Sequence, residues 1–184
     1  MSDRFEQFIA EVTSAVSGSN DESVVLPQVR AAMARLVAKD DWLPADKAQA
    51  DPQRYQQNLL HCDAGGRFSV VCFVWGPGQQ TPIHDHLMWG VIGMLRGAEI
   101  CIPYRLVDGK PERHGDEIHI RPGDVGAVSP TIGDIHQVRN ALTDRPSISI
   151  HCYGGDIGKV ERHSFTAGSR TAERFVSGYS NVAS

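Results

Sequence analysis

The chain has 184 residues, 41% of them hydrophobic and 22% charged, with a formal net charge of −4 and a sequence pI near 6.0. That length suits one domain with enough core to fold without covalent staples. The absence of a basic patch or long charge run argues against nucleic-acid and membrane-surface partners, and no apolar run approaches the ~18 residues of a membrane span. The N-terminus, MSDRFEQF, has neither a basic n-region nor an apolar h-region, so no signal peptide is expected. Cys62, Cys72, Cys101 and Cys152 form no C-x-x-C pair, which suggests free thiols in a reducing cytoplasm.

Residues 1–50 read as helical. Phe5, Phe8, Ile9, Val12 and Val16 recur at helical spacing, and Asp3 followed by Glu6 looks like a capping box. Gly18-Ser19-Asn20 breaks this helix. Pro27 is placed to open a second one at its first position, with Val29, Met33, Leu36 and Val37 on one face, and Asp40-Asp41 and Pro44 end it. Both helices are expected to pack outside the rest of the domain and to carry no chemistry.

Over residues 55–165 short β-rich runs alternate with Gly/Pro turns: 68–75, 86–94, 98–106, 117–120, 125–128, 135–140 and 147–153. Many short strands at even spacing predict a sandwich or barrel, an all-β core. Residues 166–184 are a weakly patterned tail, and the whole chain, 1–184, reads as a single domain.

The informative pattern lies inside the β region. His84-Asp85-His86 reads G-x5-H-x-H from Gly78, and His136 sits far downstream in G-x2-H-x3-N. Alternate residues of a strand share a face, so His84 and His86 would emerge together and His136 would close a three-histidine face from another strand. The stretch from Gly78 resembles the first cupin motif, with its terminal glycine at Gly97 and its glutamate position at Gly90. Gly123 through Asn140 resembles the second, with Pro130, Gly133, His136 and Asn140 matching after a one-residue spacing shift on each side of Pro130. The resemblance implies a small jelly-roll barrel.

Three neutral imidazoles leave a divalent ion its full charge, whereas most non-haem iron oxygenases replace one histidine by a carboxylate. Such a centre favours anionic ligands. A thiol, whose pKa is about 8.5 when free, would ionise on it. Ser149, His151 and Tyr153 form a second constellation, spaced to share one strand face. A hydrogen-bonded row could orient protons toward the metal; the same spacing equally suits the polar face of a half-buried strand. No G-x-S-x-G elbow surrounds Ser149, which argues against hydrolysis.

Together, His84-x-His86, His136 and Ser149-x-His151-x-Tyr153 resemble the cysteine dioxygenase family, as does Asn58-Leu59-Leu60 followed by Phe68 through Trp75-Gly76. The resemblance implies one ferrous ion per chain on His84, His86 and His136. It also implies a catalytic row of Ser149, His151 and Tyr153, and conversion of a small thiol and O2 to a sulfinate.

Two departures shape the substrate expectation. Animal members crosslink a cysteine to the active-site tyrosine; here that region reads Trp89-Gly90-Val91, and Cys152 points away from Tyr153, so Tyr153 should stay uncrosslinked. Animal members also clamp the substrate carboxylate with an arginine before the Asn-Leu pair, where this chain has Gln57; Arg54 would face the other side. Glutamine there resembles the bacterial branch linked to 3-mercaptopropionate, so that thiol is expected as substrate, with L-cysteine the alternative. An amide cannot replace a guanidinium–carboxylate clamp. Arg162 is therefore expected to hold the carboxylate with Gln57 assisting, ahead of Lys159 and Arg139. Trp75 and Trp89 read as core or pocket wall, and Phe73 as packing or pocket. His61, His114, His119 and His163 read as surface or packing. A zinc or manganese isomerase, or a non-enzymatic small-molecule binder, are the more distant readings.

Overall fold

The computed structural model describes residues 2–182; Met1, Ala183 and Ser184, which the single-domain reading includes, lie outside it. Two helices lead. α1 spans Asp3–Gly18 and α2 spans Glu22–Val37. The expected capping box is not made: Ser2 is the N-cap, without a side-chain bond, and Asp3 and Glu6 fall inside the first turn, where acidic groups complement the positive end of the helix dipole. α2 begins earlier than Pro27. Asp21 caps it by accepting from the Ser23 amide at 2.8 Å, and the helix accommodates Pro27 in its interior while Val25 and Leu26 are buried.

Among the described residues twelve strands come after the helices: β1 Gln56–Cys62, β2 Ser69–Trp75, β3 Ile83–His84, β4 Gly90–Arg96, β5 Glu99–Val107, β6 Lys110–Arg113, β7 Ile118–Ile120, β8 Val125–Val128, β9 Ile135–Asn140, β10 Ser147–Tyr153, β11 Arg162–Phe165 and β12 Ala172–Phe175. One sheet runs β1-β2-β10-β4-β8; the other runs β12-β11-β3-β9-β5-β6, with β7 also on β5. Every pairing is antiparallel, and from β2 to β11 the chain passes repeatedly between the two sheets, which winds it into a small jelly roll.

β2 and β10 are buried at every residue, and their alternation explains how. Val70, Cys72, Val74, Ile148, Ile150 and Cys152 join the cluster that receives α1 and α2. Val71, Phe73, Trp75 and Tyr153 point the other way, into the barrel. Both faces of these strands are thus covered, one by helices and one by the opposite sheet. Ser149 and His151 share the Tyr153 parity and face the interior.

The helices sit close. A Cβ on Gly93 of β4 would stand 2.6 Å from Met33 Cγ and 2.8 Å from Val37 Cγ1, both on α2. Met33 is fully buried, so making room means repacking the α2–β4 seam. Gly93→Ala is expected to lower unfolding stability by about 1–3 kcal/mol, the usual cost of overpacking, measured as a lower urea midpoint at unchanged slope. An unaltered midpoint would show that α2 can slide. No helix among the described residues is long and apolar enough to cross a membrane.

Candidate metal centre and the cleft beside it

β3 is only two residues long, so it carries His84 but not His86. The simple picture of two histidines on one strand gives way to two separate supports. His84 stands opposite His136 in the β3–β9 ladder, and it donates from Nδ1 to the Pro82 carbonyl at 3.0 Å. His86 lies beyond the strand and is held by Asp134, two residues before His136. The Asp134 carboxylate accepts from His86 Nδ1 at 3.0 Å, from the His86 amide at 3.1 Å and from the Leu87 amide at 2.9 Å. Leu87, whose amide joins this clamp, adopts φ 60°, the left-handed region that non-glycine residues rarely visit. Burial works against the Asp134 charge, but the bonds from His86 and Leu87 hold its carboxyl below the usual carboxylate value. His136 Nδ1 meets the Cys101 thiol at 3.4 Å.

Each Nδ1 is therefore committed to a partner, which leaves three Nε2 atoms for a ligand. The three rings stand 4.8 Å apart, centroid to centroid, in every pair, and their ligating atoms lie within 4.8 Å of one another. All three are buried, and burial, then the neighbouring His86, push His84 and His136 well below the ordinary histidine range. His86 Nε2 is buried with no hydrogen-bond partner. Three mutually facing imidazoles, one with an orphaned lone pair, fit a divalent metal ion.

The expected glutamate position, Gly90, has a physical reason to be bare. It pairs with Tyr153 in the β4–β10 ladder, and a Cβ there would lie 2.9 Å from the tyrosine ring. The ring stacks on His86 at 5.5 Å. Tyrosine thus occupies the volume that a carboxylate ligand would need. All four cysteines are free, and Cys152 is buried in the helix-facing cluster, away from Tyr153.

The row forms a continuous chain of hydrogen bonds. Ser149 Oγ lies 2.9 Å from His151 Nε2, and His151 Nδ1 lies 2.8 Å from the Tyr153 hydroxyl. Trp75 donates its indole hydrogen to Ser149 at 3.4 Å, and Phe73 covers the His151 ring at 4.3 Å. Burial, then His86, depress His151 to about 3, and burial raises Tyr153, so both are neutral at working pH.

A cleft of about 40 Å³ adjoins His84 and Tyr153, walled by Phe73, Pro82, Ile157 and Arg162, and a wider outer groove shares Tyr55, Gln57 and Pro82 with it. Arg162 is no loop residue. It opens β11, is 4% exposed, lies over the Phe175 ring at 4.7 Å, and keeps its Nε unpartnered. Its Nη2 donates to Ser177 at 2.9 Å and its Nη1 reaches the Asp85 carbonyl at 3.4 Å. The Asp85 carboxylate accepts instead from the His163 amide and ring, each at 2.8 Å, which ties β11 to the histidine motif. The two other candidate cations are committed elsewhere: Lys159 to Asp156 and Arg139 to Glu117.

Gln57 borders the cleft, but both its amide hydrogens go to the C-terminal segment: Nε2 donates to Ser177 Oγ and to the Gly178 carbonyl, each at 3.0 Å. The expected donation to substrate would need one of these bonds to open. Gln57 instead fastens the tail across the cleft, with Ser177 bridging it to Arg162. Sequence reasoning passed over Asp134, Cys101, Asp85 and Ser177. Only Asp134 and Asp85 had a visible signal, as acids flanking or separating the histidines.

A jelly roll with a buried three-histidine face and an adjoining Ser–His–Tyr row defines a cupin with a candidate metal centre. The chain belongs to the cysteine dioxygenase type I family, whose model matches residues 19–165. It is 25% identical to cysteine dioxygenase type 1 of Danio rerio over 118 residues, 61% of this chain and 56% of that one. It is 28% identical to the Homo sapiens enzyme over 109 residues, 58% of this chain and 54% of that one. The chain thus spans about half the length of the curated relatives it matches. Among solved structures, an uncharacterized conserved protein with a double-stranded beta-helix domain from Klebsiella pneumoniae aligns at TM-score 0.49 and 16% identity, over 64% of this chain and 93% of that one. Oxalate oxidase in complex with the substrate analogue glycolate aligns at 0.48 and 15%, over 64% and 62%.

Proposed function

We propose that this protein is an iron-dependent thiol dioxygenase that converts a small thiol carboxylate, RSH, and O2 into the sulfinate RSO2⁻ and a proton, with 3-mercaptopropionate the preferred substrate. Sulfur supplies all the electrons that dioxygen takes up, so no separate reductant enters the balance. His84, His86 and His136 would hold the ion through Nε2. Bound ferrous iron would supply a strongly electropositive centre that ionises the thiol and activates dioxygen. The protein's residues do the rest. Arg162 binds the carboxylate, Phe73 and Ile157 exclude water around the carbon chain, and Tyr153 presents a neutral hydroxyl held by His151. A reducing cytoplasm suits the four free thiols and a ferrous ion.

The observation that carries this reading is Arg162. A buried guanidinium without an acidic side-chain partner is costly, and burial already lowers its proton affinity. Among the described residues lining the cleft it is the one full charge, and none is a carboxylate. An anionic head beside an apolar wall answers that arrangement. The ammonium of L-cysteine would find no anion there, which favours the amine-free thiol; family membership alone is equally consistent with cysteine.

The test is kcat/KM for both thiols in the wild type and in Arg162→Ala. Loss of a charge-assisted contact should lower kcat/KM for 3-mercaptopropionate by about 10- to 150-fold, equivalent to about 1.5–3 kcal/mol. A wild-type preference for L-cysteine would overturn the substrate, and unaltered kinetics in the variant would remove Arg162 from the site.

A further inference from the structure

The interior of the barrel holds one carboxyl that the reaction above does not use. Glu99 opens β5, is 1% exposed, and has neither oxygen in a hydrogen bond. Beside it lie the hydroxyls of Ser149 and Ser147 and the Trp75 indole, and Ser147 Oγ is itself buried without a partner. Ser149 is the inner end of the row that runs through His151 to Tyr153. A buried acid thus stands at the far end of a proton-bearing chain whose near end faces the cleft.

We propose that Glu99 is a positioning residue, the fourth member of this row, whose protonation sets the direction of every hydrogen bond in it. With Glu99 protonated, its hydroxyl donates to Ser149 Oγ, which also accepts from Trp75. Ser149 then donates to His151 Nε2, His151 Nδ1–H donates to the Tyr153 oxygen, and the Tyr153 hydrogen is free to point into the cleft. When Glu99 ionises, Ser149 must donate to the carboxylate. His151 becomes the Nε2–H tautomer and donates to Ser149, and its Nδ1 accepts the Tyr153 hydrogen, which leaves the cleft. No bond other than O–H and N–H changes, and the net event is loss of one proton from Glu99.

Burial raises the Glu99 carboxyl to about 8, opposed only by Ser149, Trp75 and Ser147, so the protonated direction holds at neutral pH. The titratable groups that sense its charge are Cys101 on its own strand, Cys72 on β2 and Tyr153 on β10. Burial holds the two thiols at about 11 and about 12, and Tyr153 is likewise raised, so none of the three ionises in the same range. Asn140 of β9 and Ile120 of β7, its ladder partners, carry no titratable group.

The test compares Glu99→Gln and Glu99→Leu with the wild type in iron-loaded protein. Turnover of the wild type should fall as pH rises through about 8. Glu99→Leu, which cannot direct Ser149, should lower kcat about 10-fold, the equivalent of one hydrogen bond. Glu99→Gln, whose amide still donates, should restore most of that loss and flatten the alkaline fall. This inference rests on the row serving the reaction, so a second arm needs no turnover: 15N resonances of His151 in zinc-loaded protein. In the wild type they should exchange Nδ1–H for Nε2–H with rising pH; in Glu99→Gln they should not. Stability carries the same signature. A raised acid stabilises the fold fully below its unfolded value near 4.5, and that contribution is lost as pH rises through about 8. Glu99→Gln should therefore remove a downward slope of Tm with pH over that range. An unmoved His151 tautomer in the wild type across the range would overturn the proposal even if the variants failed to fold. So would a Glu99→Gln enzyme that keeps the wild-type alkaline fall.

Discussion

His86→Ala is expected to strip the protein of iron and of turnover together. His86 supplies the orphaned Nε2 of the three-histidine face, and the Tyr153 ring occupies the space over Gly90 where a carboxylate ligand would otherwise stand. Two imidazoles alone hold a divalent ion weakly. The loss should exceed the about 10- to 100-fold drop in affinity typical of removing a partner behind a ligand. Asp134→Asn supplies that lesser case, since it keeps the shape of the clamp on His86 Nδ1 and removes its charge. Elemental analysis of purified protein and oxygen uptake with 3-mercaptopropionate measure both effects. Full iron occupancy in His86→Ala would remove the histidine triad from metal binding, whatever the activity.

The same cluster shows which parts of the fold were legible in the sequence. Runs 125–128, 135–140 and 147–153 coincide with β8, β9 and β10, because β-rich composition and Gly/Pro turns agree there. The alternation within β10 correctly placed Ser149, His151 and Tyr153 on one face, opposite Cys152. The strand carrying the histidine motif was misjudged for the opposite reason. Asp85 and His86 lie outside the ladder, where Asp134 and His163 satisfy their polar groups instead of a sheet neighbour, and no local pattern reports a contact with a residue far along the chain. β11 and β12 were missed on similar grounds. His163 reads as surface or packing and residues 166–184 as a weakly patterned tail, yet β11 is fixed by its pairing with β3 and by Asp85.

The candidate site divides along the same line. Residues whose chemistry requires a particular type, three histidines and a Ser–His–Tyr row, announce themselves by identity and spacing. Residues that act by supporting them do not. Cys101 behind His136 is one unremarkable thiol among four, and Ser177 joins Gln57 to Arg162 only because the tail folds back over β1. Gln57 shows how a correct position can carry an incomplete role: it stands at the cleft, but its donors are fixed on Ser177 and Gly178. Arg162 shows the converse. Nine positions after the row, it is singled out by its charge alone, and the short span from β10 to β11 returns it to the barrel beside Tyr153.

Tyr153→Phe should retain iron and lose turnover. Phenylalanine keeps the ring that stacks on His86 and fills the space above Gly90, so the metal face has no reason to rearrange. What disappears is the hydroxyl 2.8 Å from His151 Nδ1. That leaves a buried ring nitrogen without a partner, which should lower unfolding stability by about 1–3 kcal/mol. It also removes the one group of the row that reaches the cleft, and loss of a positioned proton donor typically costs about 10²-fold or more in rate. The loss should appear in kcat with little change in KM, because the proposed site assigns the substrate carboxylate to Arg162 rather than to Tyr153. Steady-state oxygen uptake, with iron content and urea midpoints on the same preparations, separates the three effects. If kcat were unchanged at every pH while the midpoint fell, the row would be packing between two sheets and nothing more. If iron were lost with the hydroxyl, the tyrosine would belong to the metal face rather than to the proton chain behind it.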